Sequence, residues 1–295
     1  MERSREIRLG FVGTGVVGAS LAEALAQAGY RVTAVSSRNP AHSRDLASRL
    51  PEAQAADSPQ VVADRADIVF LTVPDDAIRS VAESIRWAAS QAAVHCNGAA
   101  STELLETAAT AGADTGAFHP LQSFASVAQA RANLPGSTFA IEASSDALES
   151  ALTDMARALG GFPMTLHGSK VLYHASAVIA SNFLVTLLDL AAGLWSHLDI
   201  GKEESLRALL PLVRGTVENL EKVGLPGCLT GPIARGDAGT VKRHLAELEA
   251  AAPELVPFYR ELACKTIPIA LAKGRIGEQD AKRLAEVLNQ EPGES

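Results

Sequence analysis

Cysteine is nearly absent from this chain: its three copies, Cys96, Cys228 and Cys264, lie far apart and form no CxxC or paired Cys/His spacing. That excludes a disulfide framework and any recognisable zinc site, so no metal is expected. A basic excess is missing too. The formal charge is −8, from 26 Lys and Arg against 34 Asp and Glu, which argues against nucleic acid or an anionic membrane as partner. Lysine does not occur before Lys170, every earlier cation other than histidine being arginine. The amino terminus is mixed in charge and runs straight into an apolar strand without a cleavage-site pattern, so it does not read as a signal peptide. Long apolar runs are missing with one exception, residues 175–195, whose only charge is Asp189. Ser176, Ser181 and Asn182 interrupt that run and no basic flank orients it, so a central buried helix, not a membrane span, is the expected form. These absences predict a cytoplasmic protein. Internal repeats, low-complexity tracts and flexible linkers are absent as well, and only residues 291–295 read as disordered.

What is present begins at residue 7. Residues 7–12 are a short apolar run suited to a buried parallel strand, and Gly13, Gly15 and Gly18 follow in GxGxxG spacing. A helix with Leu21, Ala24, Leu25 and Ala28 on one face comes next, then a strand at 31–35. In this context the first glycine permits a tight turn, the second leaves room for a pyrophosphate, and the third lets helix and strand pack closely. The unpaired N–H groups and positive dipole end of the helix hold an anion without a charged side chain. The second strand ends in Ser36, Ser37 and Arg38, where a protein selective for NAD carries an acid for the ribose hydroxyls. Small hydroxyls and a guanidinium suit a 2′-phosphate instead, so the predicted cofactor is NADP(H), although Arg38 also fits a solvated loop cation.

Further strands are expected at 68–73, 92–96, around Ala117 and at 138–142, with helices at 40–50, from Ser58 and Pro59 onward, from Ser101 or Thr102, and at 146–159. From Gly168 the pattern is helical only: about 169–197, 203–223, 238–250, 254–273 and 278–289. The expected fold class is α/β, a Rossmann-type doubly wound, mostly parallel sheet followed by an all-helical carboxyl-terminal domain, with domains at 1–165 and 166–295. The active cleft is expected between them. Loops at the carboxyl ends of such strands bind ligands, so the cofactor-contacting set comprises Gly13, Thr14, Gly15, Val16, Val17, Gly18, Ser36, Ser37, Arg38, Val73, Pro74 and Asn97. Asp75 and Asp76 suit helix caps equally well.

Polar groups recur where a small substrate would sit. His119, Gln122 and Ser123 of HPLQSF stand at the expected ligand edge, and each also suits a turn cap. Lys170, His174, Ala177 and Ser181 share one helical stripe, with Asn182 beside it. Spacing alone favours the plain readings of Lys170 as a helix-start cation and of His174 as a core histidine. The loop LTGPIARGD offers Arg235 as a carboxylate clamp, or merely connects two helices with Asp237 as cap.

Together GFVGTGVVG, SSR, LTVPDDAI, HPLQSF, KVLYHASAVIASNF and LTGPIARGD resemble the 6-phosphogluconate dehydrogenase-like superfamily of NADP oxidoreductases. The match is nearest to the group that joins a Rossmann-like domain to a helical "domain of unknown function 2520", and it covers nearly the whole chain. The resemblance implies that Lys170, opening the long helix, acts as general acid or base, and that the helical domain forms a homodimer. The superfamily's carbonyl-binding Asn one turn later is replaced by His174. The expected activity is hydride transfer from NADPH to a small carbonyl or imine, with Lys170 and His174 catalytic and His119, Ser123, Asn182 and Arg235 binding substrate. The alternative is a non-catalytic NADP(H)-binding sensor, which an apolar-plugged cleft would favour.

Overall fold

Residues 6–290 are described by the computed structural model, so the expectation for 291–295 lies outside the described residues. The glycine turn joins β1 (Arg8–Val12) to α1 (Val16–Gln27), and β2 (Arg31–Ser36) follows. Asn39 and Ser58 each cap a short helix that starts with proline, α2 (Pro40–Ser48) and α3 (Pro59–Ala63), on either side of the two-residue β3 (Gln54–Ala55). Then come β4 (Ile68–Leu71), α4 (Ile78–Glu83), β5 (Ala92–His95), α5 (Glu106–Thr110), β6 (Asp114–Pro120), α6 (Val127–Asn133), β7 (Thr138–Ala143), α7 (Asp146–Ala158) and β8 (Phe162–Thr165). The strands form one sheet in the order β3-β2-β1-β4-β5-β6-β7-β8. All pairs are parallel except β6 with β7.

The sheet is covered on both faces, which is why its central strands read as unbroken apolar runs. Neighbouring residues of a strand point to opposite sides. Phe11, Phe70, Phe118 and Phe139 therefore make a ring ladder across one face, with centroids 4.9, 6.0 and 4.8 Å apart, packed with Leu21 and Leu25 of α1 and Leu148 and Leu152 of α7. Val12, Val69, Leu71 and Ala93 face the other way, onto Val62 of α3 and Ile78 and Ala82 of α4.

Three elements were not anticipated: β3, α6 and β8. β3 is two residues long, and β8 contains Pro163, which only an edge strand tolerates. The strands end at Thr165, but the chain divides into compact units at Asn182/Phe183, so α8 (Lys170–Ala180) belongs with the sheet.

The single helix expected over 169–197 is corrected: it breaks at Ser181, where α8 ends and α9 (Asn182–Leu194) begins. Ser and Asn side chains compete for backbone hydrogen bonds and weaken a helix at that point. The expectation of a central buried helix is corrected as well. Lys170–Leu198 is long and apolar enough to cross a membrane by length and composition, but little of it is buried in the chain, and Phe183 and Val185 are 52% and 70% exposed. The second unit continues with α10 (Lys202–Val223), α11 (Ala238–Ala251), α12 (Val256–Ala272) and α13 (Glu278–Asn289). Its core joins Val241 and Leu245 to Ile267, Ala270, Leu284 and Leu288.

Candidate active site

A pocket of about 470 Å³ opens at the carboxyl ends of β1, β2 and β4. It is lined by Gly13, Thr14, Gly15, Ser36, Ser37, Arg38, Val73 and Pro74, eight of the twelve residues expected to meet the cofactor. Gly13 has φ +104°, and a Cβ there would lie 2.5 Å from the Thr72 carbonyl oxygen, so only glycine fits. A Cβ on Gly15 would meet nothing within 4 Å, which leaves the mouth of α1 open. Gly18 is buried under the turn against Gly13 and Thr72, where it draws α1 onto the sheet. Val16 begins α1 and Val17 packs on the core, and neither lines the pocket. Asn97 is engaged locally: its Oδ1 accepts from the N–H groups of Ala99 and Ala100 at 2.7 and 2.6 Å.

A dinucleotide phosphate fits this pocket on two observations beyond shape. The hydroxyls of Thr14 and Ser36 are buried without a hydrogen-bond partner, a costly state that an incoming phosphate or ribose oxygen relieves. Arg38 makes no ion pair or hydrogen bond among the described residues, so its guanidinium is available to an anion. NADP(H) is the cofactor these features and the comparisons below identify. His42 and Pro40 of α2 and Asp57 also line the pocket and were not among the residues expected to meet the cofactor.

A second pocket of about 470 Å³ gathers His119, Gln122 and Ser123 from the segment after β6 with His174, Ser181 and Asn182 from α8 and its break. Gln122 is tied to its own loop, donating to Ser137 Oγ at 3.2 Å. Tyr173 and His119 meet at 2.9 Å, hydroxyl to Nδ1, with ring planes perpendicular. The rings of His119 and His174 lie 6.4 Å apart. Between them sits Gly98, where a Cβ would fall 2.7 Å from His119 Nε2 and 2.8 Å from His174 Cδ2. No larger residue at position 98 would leave both rings in place.

Lys170 is the first residue of α8, capped by Ser169, and is 5% exposed. Its ammonium pairs with Glu142 of β7 at 3.3 Å. Burial pushes the Lys170 pKa down and the Glu142 carboxylate opposes that shift. Burial first, then the Lys170 charge, pushes both His95 and His119 down to about 4, so both rings are neutral near pH 7. Burial raises Tyr173 and Cys96 to about 12, which keeps the phenol and the thiol protonated. His95 is fully buried, with Nδ1 accepting from Asn97 N–H and Nε2 on the Ser101 carbonyl, both at 3.2 Å.

The structure thus brings together six expected residues, His119, Gln122, Ser123, His174, Ser181 and Asn182, while Lys170 does not line the pocket and acts on His119 electrostatically. Glu142, Tyr173 and Gly98 were missed as site residues. Glu142 had a faint signal, an acid inside the apolar run TFAIEA. Arg235 lies in the second unit at the end of a 3-10 turn and is exposed, while Asp237 caps α11 through Thr240 N–H at 2.9 Å. Among the described residues no three His, Cys, Asp or Glu side chains gather as metal ligands, and the three cysteines are free.

The family model described as NADP oxidoreductase, coenzyme F420-dependent, matches residues 8–95, and the domain of unknown function DUF2520 matches residues 137–266. A solved structure from Thermotoga maritima is 28% identical, covering 91% of this chain and 100% of its own, with a TM-score of 0.71. A Bacteroides fragilis protein assigned as an NADP oxidoreductase is 25% identical over 90% of this chain and 98% of its own, with a TM-score of 0.68. The 1-pyrroline-5-carboxylate reductase of Streptococcus pyogenes is 19% identical over 90% and 98%, with a TM-score of 0.63, a likeness of fold. No curated protein matches the sequence.

Proposed function

We propose that this chain is an NADP-dependent oxidoreductase that reduces a small carbonyl or imine compound. The observation that carries the reading is the pocket in which His119, Ser123, His174, Ser181 and Asn182 set imidazole, hydroxyl and amide groups beside the apolar Leu121, Ala177 and Val178, a lining that offers a small substrate both hydrogen-bond partners and apolar contact. An imine is included because the pyrroline carboxylate reductase that shares this fold is named for a cyclic imine.

NADPH, when bound, supplies the hydride. Thr14, Ser36, Ser37 and Arg38 hold its phosphates and ribose. Tyr173, which keeps its proton, donates to His119 Nδ1 and so leaves the proton of the neutral ring on Nε2, beside Gly98. In that form His119 is a hydrogen-bond donor to a developing oxyanion or amine. Lys170, desolvated and tethered to Glu142, is the proton source, and His174 orients the substrate or relays the proton. Ser123 and Asn182 position the substrate. We further propose a cytoplasmic homodimer whose second copy covers the exposed apolar side chains of α9, among them Phe183 and Val185.

The test is a panel of small keto acids, aldehydes and cyclic imines, read by loss of NADPH absorbance. Turnover of at least one member is expected, and Lys170→Met should lower it by roughly 10² to 10⁴-fold without weakening NADPH binding. Tight NADPH binding with no turnover across the panel would favour the sensor. Unchanged turnover in Lys170→Met would leave Lys170 a structural cation.

A further inference from the structure

The adenosine end of the nucleotide pocket has a ring N–H donor that the tail of β2 does not supply. His42 stands in the first turn of α2, and its side chain lines the same pocket as Ser36, Ser37 and Arg38. Its ring is held by the helix cap. Asn39 Oδ1 accepts the Ala41 N–H at 3.0 Å, which fixes the orientation of the amide and leaves Asn39 Nδ2 facing His42 Nε2 at 3.4 Å. The ring can therefore present its Nδ1–H while Nε2 rests on the cap. The pocket's acid, Asp57, stands on the loop before α3, and neither Arg38 nor His42 forms an ion pair with it. The buried, unpartnered hydroxyl of Ser36 lines the same wall.

We infer that His42 is a second recognition group for the 2′-phosphate, forming with Arg38 a clamp built from two different elements, the end of β2 and the start of α2. The inference rests on the reading of this pocket as an NADP(H) site. Arg38 supplies forked donors from the loop after β2, whereas His42 stands in the first turn of a capped helix whose positive dipole end adds to the attraction for an anion. A 2′-hydroxyl, having no charge, gains less than a phosphate from the guanidinium and from the ring N–H. The clamp is thus a device for selectivity between the two nicotinamide cofactors, and it should affect no other part of the dinucleotide.

Calorimetric titration of the full-length protein with NADPH, NADH, 2′,5′-ADP and 5′-AMP tests this without needing a substrate. Arg38→Ala should weaken NADPH and 2′,5′-ADP by about 10 to 100-fold, the range for a lost charge-assisted contact. His42→Ala should weaken both by about 5 to 10-fold and change NADH and 5′-AMP by less than about twofold. His42→Arg should keep the preference for the phosphorylated ligands, which separates a lost N–H donor from a damaged helix start. Equal weakening of all four ligands by His42→Ala, or no effect on any, would overturn the clamp while leaving the NADP(H) assignment to stand on Arg38. Failure of the unmutated protein to bind any of the four would instead overturn the cofactor reading, and the clamp with it.

Discussion

The most direct physical consequence of this site is acid lability centred on His95. The ring is fully buried; Nδ1 already accepts a backbone hydrogen bond from Asn97, and Nε2 is spent on the Ser101 carbonyl. A second ring proton would have to go on Nδ1, against an N–H donor, in a place closed to solvent and with the Lys170 charge nearby. Burial, followed by that charge, pushes the pKa down to about 4, whereas a histidine in the unfolded chain titrates near 6.5. Between those values the unfolded chain holds a proton that the folded chain does not. Stability is therefore complete above about pH 6.5 and declines as pH falls toward 4. A shift of about 2.5 units at about 1.4 kcal/mol each makes His95 worth roughly 3 kcal/mol across that window. Trp87, packed in the sheet unit with its Nε1–H on the Ala82 carbonyl, is the reporter, in a Trp195→Phe background that silences the other indole. Urea melts from pH 7 to pH 4.5 should show the parent losing stability faster than His95→Gln, the curves converging by about 2 to 3 kcal/mol. Parallel curves for the two proteins, or a histidine resonance of residue 95 titrating near 6.5, would refute the reasoning.

Two further outcomes follow from the glycines. Gly15→Val should fold within about 0.5 kcal/mol of the parent, because a Cβ there meets nothing, yet bind NADPH at least about tenfold more weakly, since its branches occupy the cradle. Gly98→Ala should displace the rings of His119 and His174 and lower turnover by about 10²-fold, with NADPH affinity unchanged in the same calorimetric titration. A structure of that variant with both rings unmoved and activity intact would show that their separation is not held by residue 98.

The nucleotide half was legible in the sequence because everything it needs is local. A turn with positive φ, an open helix mouth and an acid-free strand end are properties of residues 13–38 taken in order, and the apolar strands around them reflect a sheet covered on both faces. The polar pocket was half legible. A 3.6-residue period put Lys170 and His174 on one stripe, but nothing local announces that Lys170 will find Glu142, 28 residues away on a strand running antiparallel to its neighbour. Nor does it announce that Tyr173 will reach across 54 residues to His119, or that Gly98 will be the spacer between two imidazoles. Such pairings depend on strand order and on where α8 crosses the sheet. Burial had the same limit. An apolar period specifies which face of a helix avoids water, not what covers it, and so α9 could be read as a core helix while its apolar side chains stand exposed. A dinucleotide cradle and its preference for a phosphorylated ribose can be read from residues 13–38, because glycine spacing and a missing acid act through the backbone next to them. Which titratable groups are neutral cannot, since desolvation and the reach of one buried ammonium are set by packing between segments far apart in the chain.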